Sequence, residues 1–162
     1  MALSFTSADA VLPLARRVLR RERARLQRVA PGSHLVLTGG SSLPGAVTGG
    51  DIDLHLRVPP DDFARVLAEL TGSYDVVHPE IWTASLATFA VPGDEATGIA
   101  VTPIDSEHDL RFRRAWVRLA TDPAALESYN ALKRRHEGGD LDEYLAAKSQ
   151  YFDELSAEIR PR

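Results

Sequence analysis

The chain contains no cysteine, one methionine and only 7% aromatic residues among its 162 positions. Without thiols it has no disulfide, no thiolate zinc site and no cysteine nucleophile. No apolar run approaches the roughly 20 residues that a membrane-crossing helix requires, so no membrane partner is expected. Positive charge is not in excess either. A net charge of −4 and a pI near 5.7 give no general attraction to nucleic acid, and DNA is not an expected partner. Internal repeats, linkers and low-complexity tracts are lacking, and nothing near Met1 resembles a signal peptide. A reducing, cytoplasmic location is the expectation. With 44% hydrophobic and 26% charged residues, the composition suits one domain over residues 1–162 with a full core.

The informative stretch is Thr38-Gly39-Gly40-Ser41-Ser42-Leu43-Pro44-Gly45, followed shortly by Asp51-Ile52-Asp53-Leu54-His55. Gly39-Gly40 ends the apolar run His34 to Thr38, and Asp51 opens an alternation of Ile52, Leu54, Leu56 and Val58 that reads as a strand. Side chains two apart on a strand share a face, so Asp51, Asp53, His55 and Arg57 are expected side by side. Paired carboxylates beside a loop rich in free N–H groups suit a triphosphate with its Mg²⁺. Each half also has an ordinary reading: Ser-Pro-Gly composition makes turns, and Asp-x-Asp can begin a solvated edge strand.

Further along, the chain alternates helical and extended signals, giving an α/β organisation with a mixed sheet and a helical C-terminal segment. A first helix runs from Asp9 to about Ala30, with Leu12, Ala15, Leu19, Leu26 and Val29 as its apolar stripe. Its many arginines, Arg16 to Arg28, form a solvated or acid-paired face, or else a local patch for phosphates. Glu22 falls on the stripe, where a buried carboxylate needs a partner, and Arg113 is the expected one. Pro59-Pro60 stops the Asp-x-Asp strand, and Asp61 or Asp62 caps a helix carrying Phe63, Val66, Leu67 and Leu70. A short strand follows at Tyr74 to Val77. Ser85 to Val91 and Gly98 to Ile104, separated by Pro92-Gly93-Asp94-Glu95, read as a hairpin. Pro123 suits the start of a helix capped by Thr121 or Asp122, and Asp140 with Glu143 has capping-box spacing for the last helix.

A strand ending in Gly-Gly, a short connection and Asp-x-Asp on the next strand resembles the signature of the nucleotidyltransferase (polymerase β-like) superfamily. Within it the chain resembles the GrpB family, through Gly39 to Gly45, through Glu22-Arg23-Ala24-Arg25-Leu26, through Tyr129-Asn130-Ala131-Leu132-Lys133, and through Tyr144, Lys148, Tyr151 and Phe152. The resemblance implies a nucleotidyltransferase-like mixed sheet flanked by helices. It also implies transfer of a nucleoside monophosphate from a nucleotide triphosphate to a small-molecule, protein or RNA acceptor, assisted by Mg²⁺ or Mn²⁺. In that reading Asp51 and Asp53 are catalytic and bridge two ions roughly 3.5–4 Å apart. Gly39, Gly40, Ser41 and Ser42 meet the β- and γ-phosphates through backbone N–H groups and hydroxyls, and Arg57 neutralises charge.

Asp105 is the nearest candidate for a further metal ligand, and His55 is another, although imidazole is not a preferred ligand of Mg²⁺. Lys133 and Lys148 are candidate pocket cations, each an i, i+4 partner of a tyrosine, Tyr129 and Tyr144. Stem packing along the ring is the ordinary alternative for both.

The chain departs from the superfamily pattern in one respect. Active members usually carry a third carboxylate in the middle of a later strand, and neither Ser85 to Val91 nor Gly98 to Ile104 contains an acid. The alternative to an enzyme is therefore a binding module on the same fold, associated with nucleotides or with the coenzyme A pathway and without turnover.

Overall fold

The computed structural model describes residues 2–93 and 95–158. Strand β1 (Thr6–Ser7) leads directly into α1 (Ala8–Val29), because the Ser7 hydroxyl accepts the Asp9 N–H and caps the helix. Then come β2 (His34–Thr38), the loop with β3 (Val47–Thr48), and β4 (Ile52–Val58). Helix α2 (Phe63–Thr71), β5 (Asp75–Val76), β6 (Ala87–Ala90) and β7 (Thr97–Pro103) complete the α/β part. Three helices close the chain: α3 (Glu107–Thr121), α4 (Pro123–Arg135) and α5 (Leu141–Glu158). Asp122 caps α4 by accepting the Ala124 and Ala125 N–H groups, with Pro123 at the first helical position.

The main sheet has the order β2-β4-β7-β6-β5, and β1 pairs with β3 in a separate two-stranded ribbon. All neighbours in the main sheet are antiparallel except β4 and β7. That mixed arrangement follows from the chain path. The hairpin β6–β7 returns β7 beside β4 in the same direction, after α2 has covered one face.

Alternation then divides the sheet. On one face Ile52, Leu54, Leu56 and Val58 join Phe89, Ile99 and Val101 against Ala15, Val18 and Leu26 of α1 and Val66 and Leu70 of α2. Each buried aliphatic chain there contributes about 1.5–3 kcal/mol of transfer free energy. The other face carries Asp53, His55 and Arg57, whose register partners on β7 are Gly98, Ala100 and Thr102. A second core, in which Ala115, Leu119, Ala125, Tyr129 and Leu155 meet Leu43 and Ala46, ties α3, α4 and α5 to the glycine loop. The C-terminal helices are thereby fixed over the polar face.

Several expectations are adjusted. Strands β5 and β6 are shorter than the runs Tyr74 to Val77 and Ser85 to Val91, β7 begins and ends one residue earlier than Gly98 to Ile104, and of the expected turn at Pro92 to Glu95, Asp94 lies outside the described residues. Asp62 precedes α2 without a side-chain capping bond and instead lies 3.3 Å from Arg65. Glu22 is buried as its place on the stripe requires, but its partner is not Arg113. Its oxygens accept from Arg21 Nε at 2.9 Å and from the Tyr74 hydroxyl at 2.7 Å. Arg113 sits 3.9 Å from Asp105. The α1 arginines are partly spent on the fold: Arg23 donates to the Leu35 carbonyl, and Arg25 lies over the Tyr74 ring.

Candidate functional site

The turn after β2 is built around two glycines that meet two different charges. Gly39 has φ +73°, and a Cβ there would overlap the Asp53 carboxylate, with Asp53 Cβ 2.8 Å away. At Gly40 a Cβ would stand 2.6 Å from Lys133 Nζ. The absence of both side chains lets backbone pack onto a carboxylate and an ammonium at once. Asn130 holds the far end of the loop, accepting the Val47 N–H at 2.9 Å and donating to the Gly45 carbonyl at 3.0 Å.

Asp51 stands just before β4, exposed, and Asp53 is the second residue of the strand. Burial and the Asp51 carboxylate push Asp53 up to about 6, against the opposing fields of Lys148 and Lys133. Lys133 is itself 3% exposed. Its ammonium donates to the Val47 carbonyl at 2.5 Å and lies 4.0 Å from the centre of the Tyr129 ring. Burial, with Lys148 as a neighbouring cation, lowers it to about 8 despite Asp51 and Asp53. Tyr144 is raised to about 12 by burial and by the same two carboxylates, so its phenol keeps its proton. The site thus gathers two acids from one segment and two lysines from α4 and α5, whose opposite charges work against the desolvation of Asp53 and Lys133.

The serines play another part than expected. The Ser41 hydroxyl is buried between the Thr48 hydroxyl at 2.9 Å and the Asp51 carbonyl at 2.5 Å, and the Ser42 hydroxyl donates to the Gly39 carbonyl at 2.7 Å. Both hydroxyls shape the loop, and Ser41 fixes the segment that carries Asp51. Of the loop's backbone N–H groups, those of Ser42 and Leu43 donate to the Gly39 and Gly40 carbonyls and that of Gly45 to Asp9, so any N–H left to face a ligand lies at the start of the loop, in Gly39 to Ser41.

His55 and Arg57, on the same face, are bound into a neighbouring network instead. Arg57 makes a two-pronged pair with Asp109 of α3, Nε–Oδ1 2.6 Å and Nη2–Oδ2 2.9 Å. Asp109 is fully buried and also accepts the Asp105 N–H. Burial pushes its carboxyl up, yet the Arg57 bond and that N–H hold it below the usual range. His55 Nε2 lies 2.7 Å from the Thr102 hydroxyl and 3.7 Å from Asp109. Burial lowers His55 to about 4, which makes it a neutral imidazole, and its ring meets Phe112 edge-on at 5.5 Å.

Asp105 is removed from the pair altogether. Gly98 stands opposite Asp53, and Asp105 lies in the turn beyond the far end of β7, which is five residues or roughly 16 Å of strand further on. It is exposed beside Arg113. Among the described residues no group of three or more potential metal ligands is present. The two positions next to Asp53 on β7 that share its face, Gly98 and Ala100, carry no acid.

Asp109, Asn130 and Tyr144 are the residues that reading the sequence left without a role in the site. Asp109 had a local signal, since it follows the helix-capping Ser106 by three positions. From Asp53 the polar face continues away from the glycine loop as an open cleft of about 360 Å³. Its floor includes Gly98 and Ala100, its wall is Phe112 and Trp116, and Lys148 stands at its rim with Asp53.

No protein-family model and no curated protein matches the sequence. Among solved structures the chain is similar to the GrpB protein of Enterococcus faecalis, with a TM-score of 0.74, 16% identity and 96% of each chain covered. It is also similar to the Cid1 poly(U) polymerase in its MgGTP-bound form, with a TM-score of 0.54, 13% identity, and 79% of this chain against 42% of that one. The Cid1 form bound to Mg 3′-dATP gives a TM-score of 0.53 at 15% identity, covering 79% and 41%. The chain spans about two fifths of the Cid1 chain. Among the described residues no helix is long and apolar enough to cross a membrane. The chain has a nucleotidyltransferase-like fold and is similar to GrpB over nearly its whole length.

Proposed function

We propose that this protein binds a nucleotide triphosphate at the Gly39–Gly40 loop and transfers its nucleoside monophosphate to an acceptor, with Mg²⁺ or Mn²⁺ held by Asp51 and Asp53. The observation that carries this reading is the convergence of both carboxylates, the side-chain-free loop, Lys133 and Lys148 at one end of the sheet. Two adjacent carboxylates fit one Mg²⁺, which commonly takes one or two protein oxygens and completes its shell with phosphate oxygens and water. When bound, the cation supplies charge neutralisation on the phosphates and activation of the acceptor oxygen. The chain's own residues do the rest. Loop N–H groups orient the β- and γ-phosphates, Lys133 and Lys148 offset their charge, and the protonated Tyr144 phenol donates without adding negative charge. Arg57, committed to Asp109, serves as a strut for α3 in this reading.

A second reading, nucleotide binding without turnover, draws on the uncharged Gly98 and Ala100 beside Asp53. Thermal unfolding with each triphosphate, with Mg²⁺, Mn²⁺ or chelator, tests the site. At about 100 times its dissociation constant a ligand stabilises the fold by roughly 2.7 kcal/mol. The expected result is a metal-dependent shift that disappears in the Asp51→Asn, Asp53→Asn double variant. A folded double variant with an unchanged shift removes the site. Pyrophosphate release separates the two readings: its absence under saturating triphosphate and a wide acceptor panel favours the binding module.

A further inference from the structure

Resting on the nucleotide reading above, we infer that the cleft between the sheet and α3 is the acceptor site, and that the acceptor is a small uncharged molecule with a flat ring and a hydroxyl group. The direction comes from the geometry of displacement. The glycine loop and Lys133 lie on one side of Asp53, toward β2 and β3, while the cleft begins at Thr38 and Asp53 and extends to the other side, over β4, β7 and β6. In an in-line reaction the attacking and leaving oxygens stand on opposite sides of the phosphorus. With pyrophosphate on the loop, the acceptor arrives through the cleft. Its oxygen lone pair forms the bond to the α-phosphorus, the α–β bridging pair departs on pyrophosphate, and the acceptor's proton passes to water at the open mouth.

The class of acceptor follows from the lining. Gly98 and Ala100 leave a low floor, and both are half-exposed to the cleft. Phe112 and Trp116, one helical turn apart on α3, form a wall that is already braced. Phe112 is held edge-on by His55 and His108, and Trp116 packs on Phe152 at 5.3 Å. Rigid aromatic surface facing a flat floor suits a planar ring. Among the described lining residues Lys148 is the one lysine or arginine, and it is within the field of Asp53. A nucleic acid strand needs a track of cations along its backbone, and this cleft has none. A volume of about 360 Å³ is at the small end of ligand pockets.

Amide and indole chemical shifts, followed while 2-naphthol is added in the presence of Mg²⁺ and a non-hydrolysable triphosphate, test the inference. The triphosphate is expected to shift Gly39 to Ser42, and 2-naphthol to shift Gly98, Ala100 and the Trp116 indole. The naphthol response is expected to be lost in Ala100→Phe, which fills the floor, and weakened in Phe112→Leu, with amides of the α1–α2 face reporting that each variant is folded. No naphthol response in the cleft, or one that survives Ala100→Phe, overturns the inference. A short oligouridylate that shifts the same cleft residues overturns it in favour of a nucleic acid acceptor. Silence of the glycine loop toward the triphosphate, by contrast, is the failure of the nucleotide reading itself.

Discussion

Gly39 lies against Asp53 so closely that a methyl group in its place would occupy the carboxylate. The turn and the acid are therefore one unit: the backbone conformation at φ +73° exists to let the loop pass over a half-buried carboxylate. Gly39→Ala is predicted to abolish metal-dependent stabilisation by triphosphate. Its cost in stability includes roughly 1–3 kcal/mol for holding an alanine at φ +73°, ψ −179°, a region essentially reserved for glycine. Gly138→Ala is the control, since Gly138 has φ +74° with nothing within 4 Å of the added Cβ. Thermal unfolding is expected to show a loss of stability in both variants and a loss of the triphosphate response in the first alone. A retained response in Gly39→Ala contradicts the proposed geometry.

Lys133 gives a prediction in pH. Its folded value of about 8 is below its ordinary value of 10.5, so between these two the unfolded chain binds the proton and the folded protein does not. Stability contributed at this position therefore rises with pH through that window, and the charged form below pH 8 is the costly one. Comparison with Lys133→Met cancels the other titrations. The wild type is expected to gain on the order of 2 kcal/mol relative to the variant from pH 8 to 10.5, by denaturant unfolding at several pH values. A flat difference means that the ammonium is better solvated than its burial implies. The variant is also expected to bind triphosphate more weakly at pH 7, since the ammonium is retained there beside the acids at a cost to the fold.

Which parts were legible beforehand follows the range of the interactions. Gly39-Gly40 and Asp51-x-Asp53 are local patterns, and the alternation of Ile52, Leu54, Leu56 and Val58 marked both the strand and its buried face. The mixed α/β sheet, the helical C-terminal segment and the resemblance to GrpB were likewise readable, and the fold comparison agrees with them. What escaped depends on the β4–β7 register and the docking of α3. Only that register puts Asp105 far from Asp53, and only the docking puts Asp109 within reach of Arg57. The serine hydroxyls turn to backbone acceptors of two kinds: Ser42 to the Gly39 carbonyl within its own turn, a local bond, and Ser41 to the Asp51 carbonyl ten residues on, which depends on the chain's return into β4.

Glu22 and Tyr74 are another pair invisible to periodicity, since the stripe on α1 shows that Glu22 is buried but not what meets it. The bond from the Tyr74 hydroxyl, 2.7 Å long, links α1 to the segment before β5. A double-mutant cycle of Glu22→Gln and Tyr74→Phe is predicted to give a coupling of about 1.5–3 kcal/mol, the range for a hydrogen bond to a charged group. Nucleotide response is expected to be unchanged in all three variants, which keeps Glu22 out of the site. Loss of that response in folded Glu22→Gln reverses the assignment.

Arg57 faces the same side of β4 as Asp53, and the question is whether its charge serves the phosphates or the fold. Its two-pronged bond to a fully buried Asp109 argues for the fold, because removing either partner leaves the other charge without compensation. Arg57→Met and Asp109→Asn are each predicted to lower stability by about 3 kcal/mol. Both are expected to keep the Mg²⁺-triphosphate shift at temperatures where they remain folded. The acid limb adds a sign that can be checked. Asp109 is held below its ordinary 3.8, so its contribution is full above that pH and is lost as pH falls through the lower folded value. The stability gap between wild type and Asp109→Asn should therefore narrow below about pH 4. A gap independent of pH points to lost packing rather than a lost charge pair. If Arg57→Met loses the triphosphate response while Asp109→Asn keeps it, the arginine belongs to the phosphate site after all, and its pairing with Asp109 describes the ligand-free state only.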